Sequence, residues 1–207
     1  MKNRAFWFII CNMRKKLSEP TFDALFDSPV KVRLLKLFLR NPEENFDLKT
    51  AAAKLDSTSA RAKKNVEQLA EIGFLIRKNS KDGQTFFVNR GFAFYNELRD
   101  LLMKTSPASK EKMLAKLKGA GKIKLAVLSG IFVNCDTSGA DLLVVGDGVK
   151  AAKFKNFIKN LEAEIGKEIN YSLMTTKEFY YRHGMYDRFI RDLLDFKHEK
   201  LIDKLKI

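Results

Sequence analysis

The chain has 207 residues, of which 45% are hydrophobic and 31% are charged. This balance is typical of globular proteins and excludes a chain that is disordered throughout. Lysine and arginine outnumber aspartate and glutamate by 39 to 25, so the net charge is +14. A positive charge of this size favours a polyanionic partner, and nucleic acid is favoured over an anionic membrane surface. Two cysteines and two histidines are too few for a disulfide framework or a histidine-rich metal site.

Residues 1–19 are predicted to form an N-terminal tail. The apolar run at residues 5–10 is too short for a spanning helix, which needs about 20 residues. Three cations at residues 14–16 follow it, where a signal peptide would have a cleavage site with small residues. No other window approaches membrane length. We therefore expect a protein that is cytoplasmic and has no membrane partner.

The first half of the chain is predicted to be helical with one hairpin. Helices are expected at residues 29–40, 48–55, 59–72 and 92–103, and strands at residues 74–77 and 85–89. Ser28 and Asp47 precede the first two helices and belong to the residue types that cap helix N-termini. Gly73 follows the third helix, where the left-handed conformation favours glycine. Asp82 and Gly83 mark the hairpin turn.

The second half alternates between apolar strands and helices. Helices are expected at residues 110–117 and 150–165, strands at residues 123–128, 141–145 and 169–174, and helical pieces over residues 176–205 with breaks near Gly184 and Lys197. This alternation indicates a layered α/β arrangement. Small polar residues and a proline at residues 105–109 predict a boundary. We expect two domains, residues 20–104 and 122–207, with a linker that contains a short helix at residues 105–121.

A segment of the first half resembles known DNA-binding proteins. Residues 47–56 read DLKTAAAKLD and residues 59–76 read SARAKKNVEQLAEIGFLI. With the following hairpin, these residues resemble the winged helix-turn-helix of the ArsR and MarR regulator families over residues 20–104. The resemblance implies that residues 59–72 are the recognition helix and that the protein is a homodimer. Residues 92–103 with residues 22–26 are the candidate dimer interface, and plain core packing is the alternative.

The third helix has two faces of opposite character. Ala62, Val66 and Leu69 share one face and are predicted to pack inward. The other face is basic near the start of the helix, and arginine or lysine can donate to guanine while glutamine pairs with adenine. The hairpin tip would be a wing for phosphate or minor-groove contact, and solvated surface is the alternative for each lysine. The predicted DNA-binding residues are Thr58, Ser59, Arg61, Lys63, Lys64, Gln68, Arg77, Lys78 and Lys81, of which Thr58 and Ser59 could instead cap the helix.

The second half carries another resemblance, at residues 123–147. They read IKLAVLSGIFVNCDTSGADLLVVGD, a strand, a loop and a second apolar strand. This pattern resembles the minimal nucleotidyltransferase fold, and the likeness covers about residues 120–205. In that family Gly-Ser ends the first strand and Asp-x-Asp opens the second. The resemblance implies two aspartates and a third carboxylate that hold two Mg²⁺ ions.

This chain departs from that pattern at the positions that carry the chemistry. Asp141 remains, but Gly139 stands where the first aspartate is expected, and Ser129 and Gly130 reverse the Gly-Ser order. Asn170 lies in the region of the third carboxylate. One carboxylate cannot hold two Mg²⁺ ions, so we expect no catalytic residue, no metal, no cofactor and no enzyme. Ser129, Gly130 and Asp141 would form a vestigial nucleotide site, and dimerisation without a nucleotide ligand is the alternative role of this domain.

Together these patterns predict a two-domain chain of the α+β or α/β class. A winged helix-turn-helix comes first, and a nucleotidyltransferase-like mixed sheet with flanking helices follows. The predicted function is transcriptional regulation through sequence-specific binding of duplex DNA. Two alternatives remain at this point, an active nucleotidyltransferase that modifies a protein or RNA, and a basic architectural protein that binds DNA without specificity.

Overall fold

The computed structural model describes residues 28–80, 83–104, 108–135 and 139–207. These residues form a mixed α+β structure with eight α-helices and two sheets. In chain order the elements are α1 (Pro29–Arg40), β1 (Phe46–Asp47), α2 (Leu48–Lys54), α3 (Ser59–Glu71), β2 (Leu75–Ser80), β3 (Gly83–Val88), α4 (Tyr95–Lys104), α5 (Lys110–Ala120), β4 (Lys122–Leu128), a 3₁₀ turn (Gly130–Phe132), β5 (Leu142–Asp147), α6 (Ala151–Ile165), β6 (Tyr171–Met174), α7 (Thr176–Gly184), α8 (Arg188–Asp195) and β7 (Glu199–Asp203). The predicted tail at residues 1–19 lies outside the described residues.

The first sheet has three antiparallel strands in the order β1-β3-β2. Its apolar side chains share a core with helices α1, α2, α3 and α4. Phe38 of α1 and Phe46 of β1 meet edge to face there, with ring centroids 5.5 Å apart. The cap predicted for α1 forms, since Ser28 Oγ accepts from the backbone N–H of Lys31 at 3.3 Å. This core holds α3 with one face inward.

The second sheet has four strands in the order β6-β5-β4-β7, of which only the β5–β6 pair is parallel. Strands β4 and β5 are buried on both sides, which accounts for their nearly continuous apolar sequences. Helices α5 and α6 pack on one side of the sheet and helices α7 and α8 on the other. No helix among the described residues has the length and apolar character needed to cross a membrane.

One prediction for the second half needs correction. The tail at residues 176–205 does not stay helical, because Glu199–Asp203 forms β7 and pairs with the edge of β4. This pairing satisfies backbone N–H and C=O groups along that edge of β4. The helix predicted within residues 105–121 runs to Ala120, three residues beyond its predicted end, and buries Met113 and Leu117 in the second core.

The two sheets are linked by direct contacts between α1, α2 and α6. Asn41 Nδ2 lies 2.7 Å from the carbonyl oxygens of both Leu37 and Gly166 and donates to them. Lys54 Nζ forms an ion pair with Glu168 at 2.9 Å. The C-terminal end of α6 is therefore fixed against the end of α1.

Candidate nucleic-acid interface

Helix α3 presents one face to the core and the other to solvent. Ala62 and Val66 are fully buried and Leu69 is 3% exposed, so the inward face predicted from their spacing is confirmed. α3 ends one residue earlier than predicted, and Gly73 follows in the left-handed conformation with φ of 78°. The burial of one face fixes which residues of α3 can contact a partner.

The predicted contact residues on and before α3 are all on the surface. The exposed set is Thr58, Ser59, Arg61, Lys63, Lys64 and Gln68. Arg61 and Lys64 are three residues apart and therefore lie side by side on the helix. Lys63 Nζ is 3.9 Å from a carboxylate oxygen of Glu67, a surface pair of small energetic weight. Exposure leaves these cations accessible to a groove of nucleic acid.

Thr58 does not cap α3 with its side chain. It occupies the N-cap position with φ of −69° and ψ of 142°, and no side-chain hydrogen bond closes the first turn. Asp47, by contrast, caps α2 through a 3.0 Å bond from the backbone N–H of Thr50. The Thr50 side chain and this backbone N–H lower the pKa of the Asp47 carboxyl group. The first backbone N–H groups of α3 and the Thr58 hydroxyl are thus free of this capping bond, an arrangement that suits a phosphate oxygen.

The hairpin carries further cations beside α3. Arg77 pairs with Phe86 and Lys78 with Thr85 in the β2–β3 ladder, and both basic side chains are exposed. Gly83 has φ of 126°, a left-handed value that favours glycine at this turn. Lys81 lies outside the described residues. The structure therefore places two of the three predicted wing cations on the surface.

The predicted dimer helix mostly packs into the first core. Tyr95 and Leu102 of α4 are buried there, and Phe92 and Leu98 pack partly against them. Phe94 remains 63% exposed. Residues 22–26, the other part of the predicted interface, lie outside the described residues. Core packing accounts for most of the apolar side chains of this helix.

The predicted vestigial site is filled by hydrogen bonds within the protein. Asp141 is buried, and its Oδ1 accepts from the backbone N–H of Ile131 at 2.8 Å while its Oδ2 accepts from that of Asn170 at 2.9 Å. The buried Ser129 hydroxyl donates to the Ala140 carbonyl at 2.5 Å. Gly130 has φ of 52°, and a side chain at this position would overlap the Asp141 carboxylate. Ser129, Gly130 and Asp141 therefore lie together as predicted. Their polar side chains are bonded within the protein, so they form a structural junction.

A shallow groove lies next to this junction. Gly139, Asn170, Ser172, Arg182 and Phe189 are among its lining residues. Arg182 pairs with Glu178 at 3.3 Å in an i,i+4 arrangement. Among the described residues, no group of three or more His, Cys, Asp or Glu side chains could hold a metal ion. The groove offers the Arg182 guanidinium and the Asn170 amide to a ligand, whereas the Asp141 carboxylate does not line it.

Sequence reasoning missed Asp147, a carboxylate that accepts from three donors. It accepts from the Thr176 hydroxyl at 2.7 Å, from the Thr176 backbone N–H at 3.1 Å and from Lys124 Nζ at 2.9 Å. The Thr176 hydroxyl and Lys124 lower the pKa of Asp147 from its usual 3.8 to about 2. The apolar strand before it gives no signal for these partners, which lie on other elements.

Asp147→Asn should therefore reduce stability in a pH-dependent manner. A carboxyl group with a lowered pKa stabilises the folded state above its unfolded value, and this contribution is lost as the pH falls towards about 2. The melting temperatures of wild type and variant should differ at pH 6 and converge between pH 4 and pH 2. Asp195→Asn removes an exposed carboxylate and serves as the control. A constant difference across this range would contradict the assignment.

Comparisons with protein-family models, with curated proteins and with solved structures found no match to this chain.

Proposed function

We propose that this protein is a transcriptional regulator that reads duplex DNA through a winged helix-turn-helix formed by residues 20–104. The order of elements supports this proposal: α2 and α3 are joined by a short turn, and the β2–β3 hairpin follows directly. The single observation that carries it is the division of α3 between a buried apolar face and an exposed basic face near its start. Helix-turn-helix proteins contact base edges with this part of the recognition helix.

In this proposal α3 enters the major groove with its first turns. Ser59 and Ala60 are small, so the start of the helix can approach the base edges closely. Arg61 and Lys64 donate to guanine O6 and N7, and Gln68 pairs with adenine. The rise from Arg61 to Gln68 is about 10 Å, which corresponds to roughly three base-pair steps. Arg77 and Lys78 on the hairpin contact phosphates or the adjacent minor groove, and they position the protein without reading sequence.

Residues 122–207 serve assembly or ligand sensing in the same proposal. They would form a nucleotidyltransferase-like domain without catalytic activity, in a homodimer that matches a two-fold symmetric operator. The junction at Asp141 supports an inactive domain, since both oxygens of its carboxylate already accept backbone N–H groups. An active transferase would need carboxylate oxygens directed at Mg²⁺.

Arg61→Ala and Lys64→Ala should each weaken binding to a cognate duplex by about 1–3 kcal/mol, or roughly 5- to 150-fold. The loss should depend on the base pair that the residue reads, because a lost base contact affects that position alone. The cognate duplex is obtained by selection from a random library, and affinities are measured by fluorescence anisotropy. Lys197→Ala, which removes an exposed lysine between α8 and β7, is the control.

The same titrations separate the proposal from its rivals. A selected motif with two-fold symmetry would support a homodimeric reader. Equal affinity for random and selected duplexes would indicate an architectural protein instead. Unchanged binding by both α3 variants would contradict this placement of the reading face, and transfer of label from a nucleoside triphosphate in the presence of Mg²⁺ would favour the transferase.

A further inference from the structure

The first half of α6 carries an unusual concentration of positive charge. Lys150, Lys153, Lys155 and Lys159 are all exposed, and no acidic residue occurs between residues 150 and 160. At 100° per residue, Lys155 and Lys159 lie about 40° apart on one side of the helix, whereas Lys153 lies about 160° from Lys155. Lys155 and Lys159 are here called the α6 ridge. Within the part of the chain that the structure describes, Lys155 forms no ion pair and Lys159 pairs with Asp56, so the ridge keeps a net positive charge.

Lys159, at the C-terminal end of the α6 ridge, lies beside the turn that leads into α3. Lys159 Nζ lies 3.3 Å from Asp56 Oδ1. Asp56 is two residues before Thr58, the N-cap of α3. The two side chains are largely exposed, so the ion pair adds little stability by itself. It places the α6 ridge next to the turn that precedes α3.

The side of α6 that carries the ridge is buried near the C-terminal end of the helix and exposed nearer its start. Near its C-terminal end, Ala163 is buried, and Gly166 lies against the backbone of Leu37. At 100° per residue, Lys159 and Lys155 fall within the same sector of the helix as these two residues. Lys155 is one further turn along, about 6 Å from Lys159. The helix thus docks on α1 with its last turns and extends past Asp56 with its basic turns uncovered.

We propose that the α6 ridge is a second DNA contact, which holds phosphates that flank the base pairs read by α3. This inference rests on the proposed reading of DNA by α3. Lysines bind phosphates as point charges and need no particular base, so the contact would add affinity without specificity. The residues exposed around the lysines are alanines and asparagine.

The composition of the ridge favours duplex DNA over other polyanions. A membrane-bound amphipathic helix needs large apolar side chains beside its cations, and a single-strand groove needs aromatic rings on which bases stack. Ala151, Ala152 and Asn156 provide neither. The apolar residues of α6, such as Phe154 and Phe157, face the second core. A phosphate backbone is the partner that such a surface complements.

The test compares the double variant Lys155→Gln/Lys159→Gln with wild type on the selected duplex at several salt concentrations. Each lost phosphate contact should reduce the slope of log K against log salt by about 0.9, so two should reduce it by about 1.8. Between 50 and 200 mM salt, wild-type affinity should therefore fall about tenfold more than that of the variant. A duplex trimmed to the bases read by α3 should abolish this difference, because the flanking phosphates are absent.

Two further variants keep the result interpretable. Lys177→Gln/Lys197→Gln removes the same charge from exposed positions in α7 and just after α8 and should leave the slope near that of wild type. Lys155→Arg/Lys159→Arg keeps the charge and should keep the slope. Circular dichroism checks that all variants are folded.

Each contrary outcome has a distinct meaning. A wild-type slope in the double glutamine variant, with sequence-specific binding intact, would overturn the α6 contact and leave the proposed function standing. An equal slope change in the Lys177/Lys197 variant would overturn it as well, since bulk charge would then explain the effect. Failure of wild type to bind any duplex would overturn both proposals. Loss of sedimentation with phosphatidylserine vesicles, without a change in DNA binding, would assign the ridge to a membrane surface.

Discussion

Asp141→Ala is expected to lower the free energy of unfolding by about 4 kcal/mol. The buried carboxylate accepts one backbone N–H on each oxygen, from Ile131 and from Asn170. Hydrogen bonds to a charged group contribute about 1.5–3 kcal/mol each, and alanine would leave both donors unpaired. The Asp141 backbone is itself bonded to Asn170 and Ser129, so the junction joins β4, β5 and the segment before β6. Urea denaturation followed by circular dichroism measures the effect.

Asp141→Asn separates this structural role from a role in binding metal. The carboxamide keeps one acceptor oxygen but turns an N–H donor towards the second backbone N–H, so a large part of the stability should still be lost. A carboxylate kept for Mg²⁺ would behave differently, because its neutralisation would leave the metal-free protein as stable as before or more stable. Asp195→Ala, at an exposed position, should stay within about 0.5 kcal/mol of wild type. Wild-type stability in both Asp141 variants would contradict the junction.

Most elements of the first half could be predicted because their signals are local. Ser28 before Pro29 starts α1, Asp47 caps α2, and Gly73 ends α3 with the left-handed conformation expected of it. Each of these signals acts within about four residues of the place where it is read. The division of α3 into two faces is equally local, since it depends only on helical spacing. The exposure of Arg61 and Lys64 follows from it.

Features that depend on distant partners could not be predicted. β7 forms because β4 has an edge to fill, and nothing within residues 199–203 indicates that edge. The order of Ser129 and Gly130 in the sequence indicates only a departure from a family motif. In the structure a side chain at Gly130 would overlap the Asp141 carboxylate, which explains the glycine. The α6 ridge is visible in sequence only as scattered lysines. The ion pair from Lys159 to Asp56 gives it a place beside α3.

Gly166→Ala is expected to destabilise the protein by about 3 kcal/mol and to loosen the contact between α1 and α6. Gly166 follows α6 with φ of 79° and ψ of 20°, a left-handed conformation that costs other residues about 1–2 kcal/mol. A Cβ atom there would also lie 2.6 Å from the backbone nitrogen of Leu37 and 2.7 Å from the carbonyl carbon of Lys36. Backbone atoms cannot move aside as the end of a side chain can, so the two helices must separate.

Gly73→Ala provides a matched control for the conformational part of this cost. Gly73 follows α3 with φ of 78°, and a Cβ atom there would meet nothing within 4 Å. Gly73→Ala should therefore lower the free energy of unfolding only by the cost of the left-handed conformation, about 1–2 kcal/mol. The additional loss in Gly166→Ala then measures the close approach of the helices. Equal losses in the two variants would contradict that approach.

The effect of Asn41→Ala then shows whether the helices separate. In the wild-type background it removes the hydrogen bond from Asn41 to the Gly166 carbonyl, which joins α1 to the end of α6. If Gly166→Ala has already moved α6 away, Asn41→Ala should cost less stability in that background than in wild type, a coupling that a double-mutant cycle measures directly.

The same separation would displace Lys155 and Lys159 from the turn before α3. Gly166→Ala should therefore also reduce the salt dependence of DNA binding, whereas Gly73→Ala should not. Loss of stability without any change in the salt slope would mean that α6 contacts α1 for stability alone.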